Sequence, residues 1–283
     1  YSQRYGGEHN FHNITYSLGG AWEASDKLSL SSNIGVAWRA PQVNELYSSG
    51  LHHGAGTYNL GDSSLHPETG VKWITALDYK NPDKGIDLSV DAYAQVIKGY
   101  IYDYPTGETR TLFSGVYPIF QYTQADAFFR GADLEALIRL AQWYDHSQSL
   151  FYEFRGALVF ANELKTGRYF PFIPAPRLSQ SLLWKSAPRG IFQSLEGSIG
   201  HTFVAKQTRF EPSQELVATT PEAYHLFEAA IGGTINIGQH QVLGIRISGE
   251  NLLNKLYKEY TNRFRYYAHD LGRNIYLRLN YNF

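Results

Sequence analysis

Apolar side chains return at every second position through most of this chain, and that period belongs to strands rather than helices. From Ile14 to Trp22 the even positions carry Ile14, Tyr16, Leu18, Gly20 and Trp22, while the odd ones are mostly small or polar. Ser25, Asp26 and Lys27 make a tight turn, after which Leu28, Leu30, Ile34, Val36 and Trp38 share a face. Two alternating runs joined by a short turn form a β-hairpin. The pattern resumes with Val71, Trp73, Leu77 and Tyr79, then with Ile86, Leu88, Val90, Ala92, Ala94 and Val96 beyond an NPDKG turn.

After a break from Gly99 to about Tyr117, a long strand carries Leu134, Ala136, Ile138 and Leu140 on one face and Asp133, Glu135 and Arg139 on the other. Leu150 to Phe160, Leu178 to Trp184, Ile191 to Phe203, Phe227 to Ile237, Leu243 to Ile247 and Ile275 to Phe283 complete the set. The proline-rich YFPFIPAPR (Tyr169 to Arg177) falls between strands, where missing N–H donors do no harm. The pattern gives about eleven strands joined alternately by short turns and long loops. Such an alternation has a direction, with turns at one end of the sheet and loops at the other.

What surrounds such a sheet follows from its two faces. The face opposite the apolar one carries Asp87, Asp91, Asp133, Glu135, Arg139, Glu153, Arg155, Arg246, Glu250 and Arg278. So many charges do not pack in a dry core, because desolvation costs too much. A wet or plugged lumen accommodates them, with the apolar face toward lipid. Aromatic residues are 15% of the chain and charged residues only 18%, and Trp22, Trp38, Trp73 and Trp184 fall near strand ends, as in interfacial girdles. A soluble β-sandwich binding module has the same alternation, but several runs reach roughly ten residues, the length of a tilted membrane strand. The expected fold is therefore all-β, an antiparallel transmembrane β-barrel.

The sequence holds no cysteine, so disulfide frames, thiolate metal sites and catalytic thiols are excluded. The net charge of -1 and scattered Lys and Arg give no footprint for nucleic acid. There is no GxSxG elbow and no HExxH, so the chain reads as no enzyme; an outer-membrane barrel protease or lipase is the alternative, since barrel enzymes need neither motif. Tyr1 opens in mid-pattern without a signal peptide, which reads as a mature product or a fragment.

The longest interruption is Trp38 to Gly70, WRAPQVNELYSSGLHHGAGTYNLGDSSLHPETG. His52 and His53 lie at its middle, with Asp62, His66 and Glu68 toward its end. Neutral imidazole binds haem iron or zinc, so these five residues are the candidate ligand or metal-binding set. Polar side chains in a solvated loop are the ordinary alternative. RFRYYAHD (Arg263 to Asp270), in the last long loop, reads as a rim that also suits an anionic siderophore.

With those segments in order, the chain resembles the C-terminal half of the barrel of a TonB-dependent outer-membrane receptor over nearly all of residues 1–283. The matching pieces are WRAPQVNELY, GDSSLHPETG, YTQADAFFRGADLEAL, FIPAPR, SGENLLNKLY and the closing GRNIYLRLNYNF. The resemblance implies about the last 11 of about 22 strands of a barrel wide enough to need a plug. It implies Phe283 as a membrane-insertion signal, with the plug and first half of the barrel outside this sequence, possible as a separate chain. Its partners would be outer-membrane lipid and, through the absent N-terminal region, the TonB complex. The function implied is active import across the bacterial outer membrane of a metal-containing nutrient, haem or zinc ahead of a ferric siderophore. No intrinsic cofactor is implied. Trp38 to Glu68 is similar to the segment of haem receptors that runs from an FRAP-like to an NPNL-like motif, although Trp38 and GDSSL depart from both.

Overall fold

A computed structural model of the chain describes residues 11–144, 147–188, 190–238 and 241–282. Phe283 lies outside the described residues. The strands are β1 (Tyr16–Ser25), β2 (Leu28–Arg39), β3 (Ser49–His52), β4 (Thr57–Leu60), β5 (Glu68–Asn81), β6 (Ile86–Leu112) and β7 (Gly115–Trp143). They continue as β8 (Gln148–Glu163), β9 (Arg177–Ser186), β10 (Phe192–Val204), β11 (Tyr224–Asn236), β12 (Val242–Glu250) and β13 (Asn274–Asn282). One short helix, α1 (Val43–Tyr47), and two 3-10 turns, Pro212–Gln214 and Arg263–Tyr266, lie in the connections.

Eleven of these strands form one antiparallel meander in the order β1-β2-β5-β6-β7-β8-β9-β10-β11-β12-β13, and β3 and β4 make a side hairpin off that path. The expected strands are all present. Register explains why the period of two survives across the sheet. Trp22 lies opposite Leu30, Leu30 opposite Leu77, Leu77 opposite Val90 and Val90 opposite Leu134. Further along, Trp184, Gly197, Ile231, Ile247 and Leu277 form another such row. A slip of one residue would send every one of these side chains to the charged face.

The apolar face is bare. Leu18 is 77% exposed, Ile199 67%, Ile231 60% and Leu277 59%. Each of these in water forgoes about 1.5–3 kcal/mol of burial, so a soluble sandwich does not describe this molecule. Its solvent is hydrocarbon. Outward indoles are satisfied within the sheet: Trp73 donates from Nε1 to Ser32 Oγ at 2.8 Å and Trp184 to Gln148 Oε1 at 2.7 Å. On the opposite face, Arg155 meets Glu153 at 2.7 Å and Arg246 pairs with Glu196, as suits a wet interior.

The break in alternation from Gly99 to about Tyr117 is not a break in the sheet: β6 and β7 run on as a ladder whose last pair is Leu112 with Gly115. Register shifts between Ile97 and Tyr100 and between Pro105 and Thr109 break the alternation while keeping the strand. Gly99, at φ +65°, is the residue that permits the first bulge. At the two ends of the meander every residue of β1 and nearly every residue of β13 is exposed, and no β1 to β13 pairing exists among the described residues.

Candidate functional site

Four long connections gather at one end of the sheet beside the extended β6–β7 hairpin, and the segment between β2 and β5 is the most structured of them. It crosses the upper part of β6 to reach β7. Leu46 and Leu65 pack with Ile101 of β6, against Tyr47 and Tyr122. β4 then adds in parallel to β7, Tyr58 opposite Ile119 and Leu60 opposite Gln121. α1 begins with a capping box, in which Gln42 N donates to Glu45 Oε2 at 2.6 Å.

Arg39 at the end of β2 ties the segment down. Its Nη1 donates to Glu45 Oε2 at 2.8 Å and its Nε to Glu68 Oε2 at 2.9 Å. The other oxygen of Glu68 accepts from Ile101 N at 2.5 Å. Asp62 closes a turn, accepting from Ser64 N at 2.8 Å and Ser64 Oγ at 2.6 Å. Both carboxylates are therefore engaged in holding the segment's shape. His66 is anchored by its backbone, with N donating to Gln124 Oε1 at 2.8 Å and O accepting from Gln124 Nε2 at 2.6 Å, and its ring is exposed.

His52 and His53 sit at the exposed tip of the β3–β4 hairpin, where His52 pairs with Thr57 and its carbonyl accepts from Ala55 N and Gly56 N. Tyr267 of the last loop donates to Gly56 O at 3.1 Å, so the tip is braced against a second connection. No three His, Asp or Glu residues gather into a metal-sized group among the described residues. His52 and His53, adjacent in sequence, share the hairpin tip, whereas Asp62, His66 and Glu68 make the separate contacts described above.

GDSSL has a steric reason for its glycine. A Cβ on Gly61 would lie 2.6 Å from Leu46 C and Tyr47 N. Gly61 N also donates to Ser48 O at 2.7 Å, and Asp62 N to Glu45 O at 2.8 Å. We expect Gly61→Ala to push α1 off the hairpin and to raise amide exchange across residues 43–61, while the β5 to β13 ladders stay protected. Unchanged exchange in that stretch would show that the close approach is not structural.

Sequence reasoning missed the knot beneath the loops. Arg265 and Glu215 form an ion pair whose side chains are 3% and 1% exposed. Tyr260 and Tyr266 donate to the two oxygens of the same carboxylate, at 2.5 and 2.7 Å. Arg263 makes a two-pronged pair with Asp103 of β6 and stacks on Phe172 at 4.8 Å. Both arginines of RFRYYAHD are thereby neutralised, so this segment is a clamp rather than an open anion site.

Burial and then Glu215 push the phenols of Tyr260 and Tyr266 well above the ordinary tyrosine range, so both remain protonated donors at neutral pH. Because the folded values lie above the unfolded one of about 10, their contribution is whole below that pH and fades as pH rises through the folded values. We expect tyrosinate absorbance for these two to appear late in an alkaline titration, together with rising exchange in residues 251–273. Ordinary titration near pH ~10 would rule out the buried clamp.

A lipid-facing apolar surface, a charged inner surface and a clamped loop cluster at one end define part of the wall of a membrane-spanning β-barrel. The chain belongs to the TonB-dependent receptor family: residues 1–252 match the family described as TonB dependent receptor-like, beta-barrel. Barrels of this family are bacterial outer-membrane proteins, and its members are transporters rather than enzymes. Among solved structures, the copper transporter OprC is similar at 18% identity and a TM-score of 0.68, with 93% of this chain and 39% of that chain covered. The FrpB iron transporter from Neisseria meningitidis is similar at 15% identity and 0.62, over 95% of this chain and 39% of that one. The siderophore receptor PirA from Acinetobacter baumannii is similar at 14% and 0.61, over 94% and 40%. At these identities the likeness shows the fold. The chain spans about two fifths of the length of these proteins. No curated protein matches the sequence.

Proposed function

We propose that the whole receptor imports a metal ion or metal complex by TonB-dependent active transport, with His52 and His53 as its outermost ligands. The observation that carries this reading is the exposed pair of imidazoles on a braced hairpin, beside a loop whose Arg263 and Arg265 are already neutralised. Imidazole suits haem iron, zinc or copper. A polyanionic ferric siderophore would instead call for free guanidinium groups, which RFRYYAHD does not offer. Haem or zinc therefore ranks ahead of a ferric siderophore, and the similar copper transporter adds copper to the imidazole-binding class. Asp62, His66 and Glu68 act in this reading by holding the segment.

The bare edges of β1 and β13 support a second part of the proposal. Unpaired strand edges are not tolerated in hydrocarbon, so further strands must close the wall and a plug must fill it, whether on the same polypeptide or on a separate chain. Energy coupling to the TonB complex would pass through that remainder. Titration of the full receptor with zinc, copper(II) and haemin, compared with apo-siderophore and ferric siderophore, tests the ligand class. Tight binding of the ferric siderophore alone would overturn it.

A further inference from the structure

The outward face carries cations only where its apolar band ends. Below the Gly99 bulge, no Asp or Glu among the described residues of the paired strands shares that face, and Arg130 brings a full positive charge to it; at the bulge itself Lys98 of β6 stands opposite the exposed Asp126 of β7, whose Oδ1 accepts from Gly99 N. Arg130 of β7 lies between Ala94 of β6 and Phe160 of β8, and Lys98 lies opposite Thr69 at the top of β5. Both are exposed. Outward positions on β8 run from Leu150 to Phe160, which is about the 9–11 residues of one tilted membrane strand. Arg130 therefore sits at headgroup level, where a guanidinium costs about 0–1 kcal/mol rather than the 2–4 of the midplane.

A third cation is delivered to the same spot from elsewhere in the chain. Arg209, in the β10 to β11 connection, lies over the ring of Phe160 at 4.0 Å, and Arg130 lies over the same ring at 5.4 Å. Arg209 is held in place by Gln207, which is 1% exposed. Gln207 donates to Ile173 O at 2.8 Å and Pro174 O at 3.1 Å, and its Oε1 accepts from Arg209 N at 3.0 Å. Neither Arg130 nor Arg209 has a carboxylate partner among the described residues.

Two guanidinium forks on one aromatic ring, facing lipid at headgroup depth without a counter-ion, match the phosphate of a lipid headgroup in charge and geometry. We propose that Arg130 and Arg209, stacked on Phe160, bind a phosphate group of an outer-leaflet lipid. The site faces away from the lumen and is independent of the transported nutrient.

The test uses the full receptor in phosphatidylcholine nanodiscs doped with bis-phosphorylated lipid A or with its dephosphorylated form, and counts retained lipids by native mass spectrometry. Wild type should retain the phosphorylated form, and Arg130→Gln with Arg209→Gln should lower that retention about 25-fold, roughly fivefold for each arginine. The double Arg→Lys variant should keep most of the charge effect and lose the forked geometry, giving an intermediate value. Heat-modifiable migration on gels checks that each variant is folded. Equal retention by wild type and the Gln variant, or equal retention of both lipid forms, overturns the proposal. Displacement of the lipid by inorganic phosphate at constant ionic strength would assign the site to a free anion and also overturn it.

Discussion

Glu215→Ala is expected to open the extracellular loop cluster, at a cost of about 3–5 kcal/mol to the local structure. The reason is what the substitution leaves behind. Arg265 would keep its charge in a site where it is 3% exposed, and Tyr260 and Tyr266 would lose their acceptor. Barrel strands far from the loops carry none of this loss, so the effect belongs in hydrogen exchange of residues 205–223 and 251–273 rather than in global unfolding. Glu222→Ala serves as the contrast. Its pair with Lys206 is 80% exposed on the Glu222 side, and such surface pairs contribute about 0–1 kcal/mol. Equal protection in the two variants would mean that the buried pair does not organise the cluster.

The second large effect concerns ligand capture. His52→Ala with His53→Ala in the full receptor should weaken binding of the preferred metal species by more than about tenfold, since removing even the partners behind a metal ligand costs 10–100-fold. The hairpin should survive, because its backbone pairs from Ser49 with Leu60 to His52 with Thr57 do not depend on either ring. His66→Ala is the matched control: its ring is exposed and its anchoring to Gln124 is through backbone atoms. Binding that stays unchanged in the double variant would remove the hairpin tip from the recognition site.

Much of the wall was legible because one face of every strand meets a single kind of solvent. Leu134, Ala136 and Ile138 alternate with Asp133 and Glu135 since lipid and water lie on opposite sides, and no distant contact is needed to read that. The stretch after Gly99 shows only a break in the pattern, and hides its strands, for a related reason. Above the membrane both faces of β6 and β7 meet water or loops, the bulges at Gly99 and Pro105 shift the phase, and periodicity loses its cause. The histidine pair was visible as a motif, and its place at a hairpin tip was not, because β4 is held by a parallel pairing to β7 some sixty residues away. Arg263 and Arg265 illustrate the general limit. Their partners, Asp103 and Glu215, lie 160 and 50 residues away, so local sequence could show the charges and not their neutralisation.

The β6 to β7 hairpin has 27 and 29 residues in its strands, of which roughly ten are enough to cross a membrane. Its tip at Phe113 is fully exposed and stands several residues of strand above Ile119, where β4 joins. The hairpin therefore works as a mast. An epitope inserted between Phe113 and Ser114 would be displayed to the outside of a living cell without touching the segment that holds the histidines.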